Sequence, residues 1–290
     1  MRILYITRAQ GEDYLNDMIF HGLHSLFGNN VVDSKCLWYM YKQYTPPEVK
    51  HNLYGKGFTV YSTLDNDDID RTDIEIKIKS KFYDLIIYGS VHRCRDFLDL
   101  IIATYPKNKI AFLDGEDKPT IMSFFPMNNF PYFKRELLAK QNNIFPISFS
   151  IPKEKVLTNF TNVTKKKFSA QIIPWDRNTY IYNDEISYYK NYQESYYGIT
   201  IKKGGWDCLR HYEILANYCM PYFIHLENCP ENTMFNFPKK QCIEASHLIE
   251  SDFFNEGKYY EYLNFMFEYL KNNLTTEKVA IYLIDKLKKL

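Results

Sequence analysis

The chain of 290 residues has no CxxC pair, no long apolar run and no excess of either charge. Its six cysteines, Cys36, Cys94, Cys208, Cys219, Cys229 and Cys242, are scattered without ligand-like spacing to histidine. That pattern argues against a zinc site and a disulfide framework and predicts reduced thiols in a cytoplasmic protein. The opening MRILYITRAQ turns polar too soon for a secretory leader, and no run approaches the ~18–20 apolar residues of a membrane span. A formal net charge of +1 provides no global basic field, so no strong nucleic-acid footprint is expected and any phosphate site must be local. HExxH, GxSxG, Walker-type and GxGxxG motifs are missing as well, which leaves protease, α/β-hydrolase, P-loop and dinucleotide-binding readings without support.

What is present is an ordinary globular balance, 46% hydrophobic and 24% charged, with 26 Tyr and 21 Phe. Tyrosine packs its ring while its hydroxyl stays wet, which favours clefts over a greasy interior. The segments RILYIT (2–7), YDLIIYGS (83–90) and KIAFLDGED (109–117) read as strands buried on both faces, and VVDSK restarts a strand between the first two. Helical spacing over 14–27, and again over 97–105, separates them, so the N-terminal half predicts a βαβ succession and a parallel sheet. Prolines at 119, 126, 131, 146 and 152 break the pattern, which places the boundary between two domains, 1–150 and 151–290. The second set begins with YYGITI (196–201), continues with a helix over 206–218 and the strand CMPYFIHL, and ends in two helices over 257–290.

The densest stretch is KKGGWDCLRHYEILANYCMPYF, residues 202–223. Gly204 and Gly205 let backbone approach a ligand closely, and Asp207 is the expected N-cap of the helix that follows. Lys202, Lys203 and Arg210 add full charges to the positive end of the helix dipole, a place suited to a diphosphate. Glu213, on the same polar face one turn after Arg210, is placed to accept from a ribose diol.

This stretch resembles the donor-site segment of B-type glycosyltransferases, particularly the exostosin-like and related bacterial and viral enzymes. In these a glycine-rich turn, an Arg and a Glu precede a strand with an "ALA-GC-IP"-like ending, matched here by ILANYCMPYF. The resemblance covers residues 196–230. It implies an α/β protein of two Rossmann-like domains with parallel sheets facing across a cleft, the first taking an acceptor and the second a nucleotide-diphosphate sugar. It further implies that Gly204, Gly205 and the helix start hold the diphosphate, that Arg210 pairs with phosphate, and that Glu213 contacts the ribose or the sugar. Retaining members would carry a second acid at position 221, where this chain has Pro221. The expected activity is metal-independent transfer of a hexose to an acceptor hydroxyl of a glycan, lipid, protein or modified base, with no cofactor. The final helices are expected to cross back over the first domain.

Sugar transfer needs a base for the acceptor hydroxyl. Asp17 and His21 share a helix face, and Asp114, Glu116 and Asp117 follow a strand that should open onto the cleft; these five are the catalytic candidates. Arg8, with His92 and Arg93, lies on the same rim, and Arg8 joins Lys203, Asp207 and the resemblance residues as a substrate-binding candidate. Two alternatives stand beside this reading. One is a glycosyltransferase-derived protein that binds a nucleotide or nucleotide sugar without turnover. The other is a metal-dependent A-type enzyme using Asp65 and Asp67 of FTVYSTLDND, an apolar strand ending in a DxD pattern whose oxygens suit a hard cation.

Overall fold

The computed structural model describes residues 1–65, 68–122, 129–160, 163–250 and 254–290. The first lobe is built on a six-stranded, wholly parallel sheet: β1 (Ile3–Ile6), β2 (Val31–Asp33), β3 (Leu85–Tyr88), β4 (Ile110–Asp114), β5 (Tyr132–Lys134) and β6 (Ile144–Pro146). Their order is β2-β1-β3-β4-β5-β6. β1, β3 and β4 are apolar almost throughout and buried along their whole length, as strands covered on both faces must be. The order reverses direction between β1 and β3, which opens a crevice beyond their carboxyl ends. The helix α1 (Tyr14–Phe27) follows β1. Asp13 caps it through the Asn16 amide, and the Asp17 carboxylate reaches back to the Asp13 amide at 2.9 Å, a reciprocal cap. α2 (Pro47–His51), α3 (Ile74–Lys79) and α4 (Leu98–Thr104) are short.

The second lobe is a single βαβαβ unit on a three-stranded parallel sheet, β7 (Lys167–Ser169), β8 (Ser195–Thr200) and β9 (Met220–Phe223), in that order. α5 (Glu185–Gln193) and α6 (Leu209–Ala216) connect the strands; α7 (Lys239–Glu250) and α8 (Glu256–Asn273) follow. The expected α/β layout of two parallel sheets is thus present, with a second sheet of only three strands. The last helix, α9 (Thr276–Lys288), returns to the first lobe and packs along α1. Two chain crossings pair beside it: the Ile151 amide donates to the Leu274 carbonyl at 3.0 Å and the Thr276 amide to the Ile151 carbonyl at 2.9 Å. His21 of α1 reaches both crossings, with Nδ1 2.9 Å from the Thr276 hydroxyl and Nε2 3.0 Å from Glu154 Oε1.

Two local expectations are corrected. Residues 58–65 form an irregular loop rather than a strand, with one isolated β-bridge between Tyr41 and Leu64, because Thr59 and Ser62 take positive φ. The helix expected over 206–218 spans only Leu209–Ala216, since Cys208 is extended and serves as its N-cap. No helix among the described residues is long and apolar enough to cross a membrane.

Candidate functional site

A cavity of about 980 Å³ lies between the lobes, at the carboxyl ends of both sheets. The first lobe contributes the turns after β1 (Gly11–Tyr14), β3 (Arg93), β4 (Gly115–Asp117) and β5 (Arg135), together with the loop carrying Tyr54–Lys56 and Phe58. The second lobe contributes the segment from Thr200 through Lys203, Gly204, Gly205, Asp207 and Cys208 to Arg210, then Glu213, with Tyr180, Tyr182 and Tyr188.

The glycine pair is required by close approach between the lobes. A Cβ on Gly204 would lie 1.9 Å from Asp117 Oδ2, and one on Gly205 would lie 2.4 Å from Glu136 Oε1. Glu136, buried, accepts the amides of Trp206 and Asp207 at 3.0 Å each. Part of the turn expected to cradle a ligand is therefore satisfied by the protein's own carboxylate. Beside it Arg135, 1% exposed, donates to the carbonyls of Gly115 and Asp207 and to Asp117, and its guanidinium lies 4.5 Å from the centre of the Phe149 ring. Asp207 is not the helix cap. Its buried carboxylate accepts the Phe149 amide at 2.6 Å and the Tyr212 hydroxyl at 2.8 Å, and burial pushes its pKa up to about 6 despite the nearby Arg135.

The cations that face the cavity from the second lobe are Lys203 and Arg210. Arg210 lies over the Tyr180 ring, 5.1 Å from its centre, and donates from Nη2 to the Tyr180 hydroxyl at 2.8 Å. Its Nε is buried with no hydrogen-bond partner among the described residues. Lys203 donates to the Pro174 carbonyl, and partial burial with Arg210 nearby holds its pKa below the usual lysine range. Lys202 instead stacks on Trp206, 5.2 Å from the ring centre, and is not on the cavity wall. The first amides of α6 have no intrahelical acceptor, and Leu209 and Arg210 stand at the cavity. Glu213 sits at the inner edge: Oε1 accepts from Thr59 of the first lobe and Oε2 from Tyr188, each at 2.5 Å, and burial raises its pKa.

The acid–base candidates separate. Asp17 is fully buried beneath the cavity and bound to Asn16, Tyr39 and the Asp13 amide; burial, then repulsion from Asp13, raises its pKa to about 7. His21, also buried, faces the crossings rather than Asp17, so the two do not act on one another across the helix face. Asp114 is buried in a pair with Lys134 at 2.8 Å, accepts from Tyr132 and lies 3.1 Å from His92 Nε2. Of the five, Glu116 and Asp117 line the cavity, and Asp17, His21 and Asp114 do not. Glu116 and Asp117 are both exposed, and Asp117 is paired with Arg135. Arg8 is exposed and outside the lining; Arg93 is inside it, held by the Glu12 carbonyl at 2.9 Å and by Asp13 at 3.4 Å. Asp65 is paired on the surface with Lys42, away from the cavity, and Asp67 falls outside the described residues.

Sequence reasoning missed Arg135, Glu136, Thr59 and His211. His211 is enclosed: Nε2–H donates to the Trp206 carbonyl at 2.8 Å, which leaves Nδ1 to accept from the Thr200 hydroxyl at 2.8 Å. Burial depresses its pKa to about 3, so the neutral ring ties the end of β8 to the turn. Its i+4 spacing from Asp207 was visible in the chain, but nothing local distinguishes a buried histidine from an exposed one.

No protein-family model matches the chain, and no curated protein matches it. Among solved structures the chain is similar to an alpha-glucosyltransferase in complex with UDP and a 13-mer DNA containing a central A:G mismatch. The identity is 10% and the TM-score 0.49, over 99% of this chain and 100% of that one.

Proposed function

We propose that the protein is a glycosyltransferase that takes a nucleotide-diphosphate sugar on its second lobe and an acceptor hydroxyl on its first. The observation that carries the reading is Arg210, a guanidinium on the cavity wall at the start of α6 with a buried, unpartnered Nε, next to Lys203. Cations at a helix start favour an anion there. On this reading Arg210, Lys203 and the Leu209 and Arg210 amides hold the diphosphate, with Gly204 and Gly205 shaping the turn and Glu213 facing the ribose. Glu116 is the base, because it is the cavity-lining acid at the end of β4 that is exposed and is not used as an N-cap or as the partner of Arg135. The acceptor hydroxyl gives its proton to Glu116 as its oxygen bonds to the anomeric carbon; the bond from that carbon to the diphosphate breaks, and Lys203 and Arg210 receive the developing charge. These two cations do the work that a metal would do in an A-type enzyme.

The test pairs two variants. Titration of UDP, GDP and ADP, with their sugar conjugates, is expected to find one that binds the wild type, and Arg210→Ala is expected to lose about 1.5–3 kcal/mol of that affinity. Glu116→Gln is expected to keep the affinity and to lose sugar transfer by about 10²–10⁴-fold, with wild-type turnover unchanged by chelator. Unaltered nucleotide affinity in a folded Arg210→Ala protein rejects the assignment. Binding without release of nucleoside diphosphate, whatever the acceptor, favours the non-catalytic binder.

A further inference from the structure

The loop between α2 and α3 lines the cavity with Tyr54–Lys56 and Phe58 and docks on the opposite lobe. Within it Gly55, Lys56, Gly57 and Thr59 all have positive φ, at 62°, 58°, 70° and 70°. A β-branched residue in that region persists only where its surroundings over-determine it. For Thr59 the surroundings belong to the second lobe: its amide donates to Glu185 Oε1 at 2.6 Å, its hydroxyl donates to Glu213 Oε1 at 2.5 Å, and that hydroxyl lies 2.6 Å from the Tyr189 hydroxyl. Lys56 Nζ reaches the Tyr182 carbonyl at 2.7 Å and Asn183 Oδ1 at 2.6 Å, and the Phe58 ring lies 5.6 Å from that of Tyr188. Residues 54–59 therefore form a strap with its strained backbone on one lobe and its anchors on the other.

The strap ends on the carboxylate that faces the cavity beside Arg210. Glu213 presents two oxygens, and each is taken by one hydroxyl, Thr59 on Oε1 and Tyr188 on Oε2. Tyr188 belongs to α5 of the same lobe, whereas Thr59 arrives from across the cleft on a strained loop. We propose that the Thr59 hydroxyl is a built-in competitor for a ribose hydroxyl: a ribonucleotide binds by offering its own O–H to Glu213 Oε1, and the strap lifts as Thr59 is exchanged. The inference rests on the donor reading above and deepens it, because it makes Glu213 a selector for nucleotides that carry a ribose hydroxyl and sets a cost on their binding. A competent state populated only in part lowers apparent affinity by that fraction.

The probe is whichever of UDP, GDP and ADP binds the wild type most tightly, compared with its 2′,3′-dideoxy analogue by calorimetry. Thr59→Ala removes the competing hydroxyl and is expected to tighten the ribonucleotide by about tenfold, the size of a hydrogen bond to a charged group. Thr59→Ser keeps the hydroxyl and is expected to stay at wild-type affinity. The dideoxy analogue is expected to gain nothing from Thr59→Ala. Hydrogen exchange reads the same event without a variant, with amides of residues 54–60 exchanging faster once the ribonucleotide is bound. Equal ribonucleotide affinity in wild type and Thr59→Ala, an equal gain on the dideoxy analogue, or slower exchange in the strap overturns the exchange while leaving the donor reading standing. Failure of all three nucleotides to bind either protein overturns the donor reading and this inference with it.

Discussion

Arg210 and Glu213 were legible in the chain because charge at the start of an amphipathic helix is a local feature; the partners that decide what those charges do were not. Thr59 lies 154 positions from Glu213 and Glu136 lies 70 from Trp206, so no window of sequence contains either pair. Asp207 illustrates the same difficulty. Its spacing before a helix suggested a cap, yet its carboxylate is taken inward by Phe149 and Tyr212. His211 gives the most direct test at this scale. Its folded-state pKa, about 3, lies below the usual ~6.5, so its contribution to stability is present above about pH 6.5 and is lost as the pH falls through 3. Asp17 and Asp207, raised to about 7 and about 6, act in the opposite sense, their contribution being present below their ordinary value and lost as the pH rises through the folded one. A single stability curve therefore mixes the three, and a difference between variants isolates one. His211→Gln keeps a donor for Trp206 and an acceptor for Thr200 without the titration. Between pH 6.5 and 3, unfolding free energies from urea melts of the wild type are expected to fall relative to this variant with a slope approaching ~1.4 kcal/mol per pH unit, and to run parallel above pH 7.5. Parallel curves throughout would show that the ring is not held neutral.

Elements with one strong period were readable and elements defined by their neighbours were not. β1, β3, β4 and α1 follow from short apolar runs and helical spacing, because burial on both sheet faces and a capped amphipathic helix leave plain patterns. β5 and β6 are three residues each and β7 is an exposed three-residue edge, too short for any periodicity to rise above background. The loop at 58–65 reads as a strand by composition, but its positive-φ residues and its docking on the second lobe override that preference. The return of α9 onto α1 was expected from the resemblance, and its tightness comes from one residue. A Cβ at Gly22 would stand 2.1 Å from the Thr276 carbonyl oxygen and 3.1 Å from the Ala280 Cβ. Gly22→Ala would add ~0.8–1 kcal/mol of helix propensity within α1, yet the backbone of α9 must move to admit the methyl. The expected net result is a loss of ~1–3 kcal/mol in urea unfolding, with α9 amides exchanging faster than those of α1. A gain in stability would mean that the two helices part without cost.

Across the whole molecule one apolar core runs through both lobes, and a buried ionic seam under the cavity joins them as well. Arg135 leaves the end of β5 and meets Asp117 and Glu136 of its own lobe and the main chain of Asp207 across the cleft. Glu136 in turn holds two amides of the second lobe, and the Asp207 carboxylate holds the Phe149 amide of the crossing segment. Near-neutral composition had indicated only that any charge effect must be local; the structure puts that locality at the contact between the two sheets. One guanidinium there faces three carboxylates, and Asp207 among them is already raised to about 6 by burial. Replacing Arg135 by Met preserves bulk against Phe149 but leaves those carboxylates without their cation, and breaking a buried pair by removing one partner costs ~3–5 kcal/mol. The loss falls on the seam, so calorimetry is expected to find one unfolding endotherm for the wild type and two for Arg135→Met, the second lobe melting first because its sheet has only three strands. Lowering the pH toward 5 protonates Asp207, already raised to about 6 by burial and no longer stabilised by the missing cation, and is expected to bring the two endotherms of Arg135→Met closer together. If Arg135→Met melts in one transition at the wild-type temperature, α9, the paired crossings, the 54–59 strap and the shared apolar core couple the lobes without the seam, which then contributes nothing to their union.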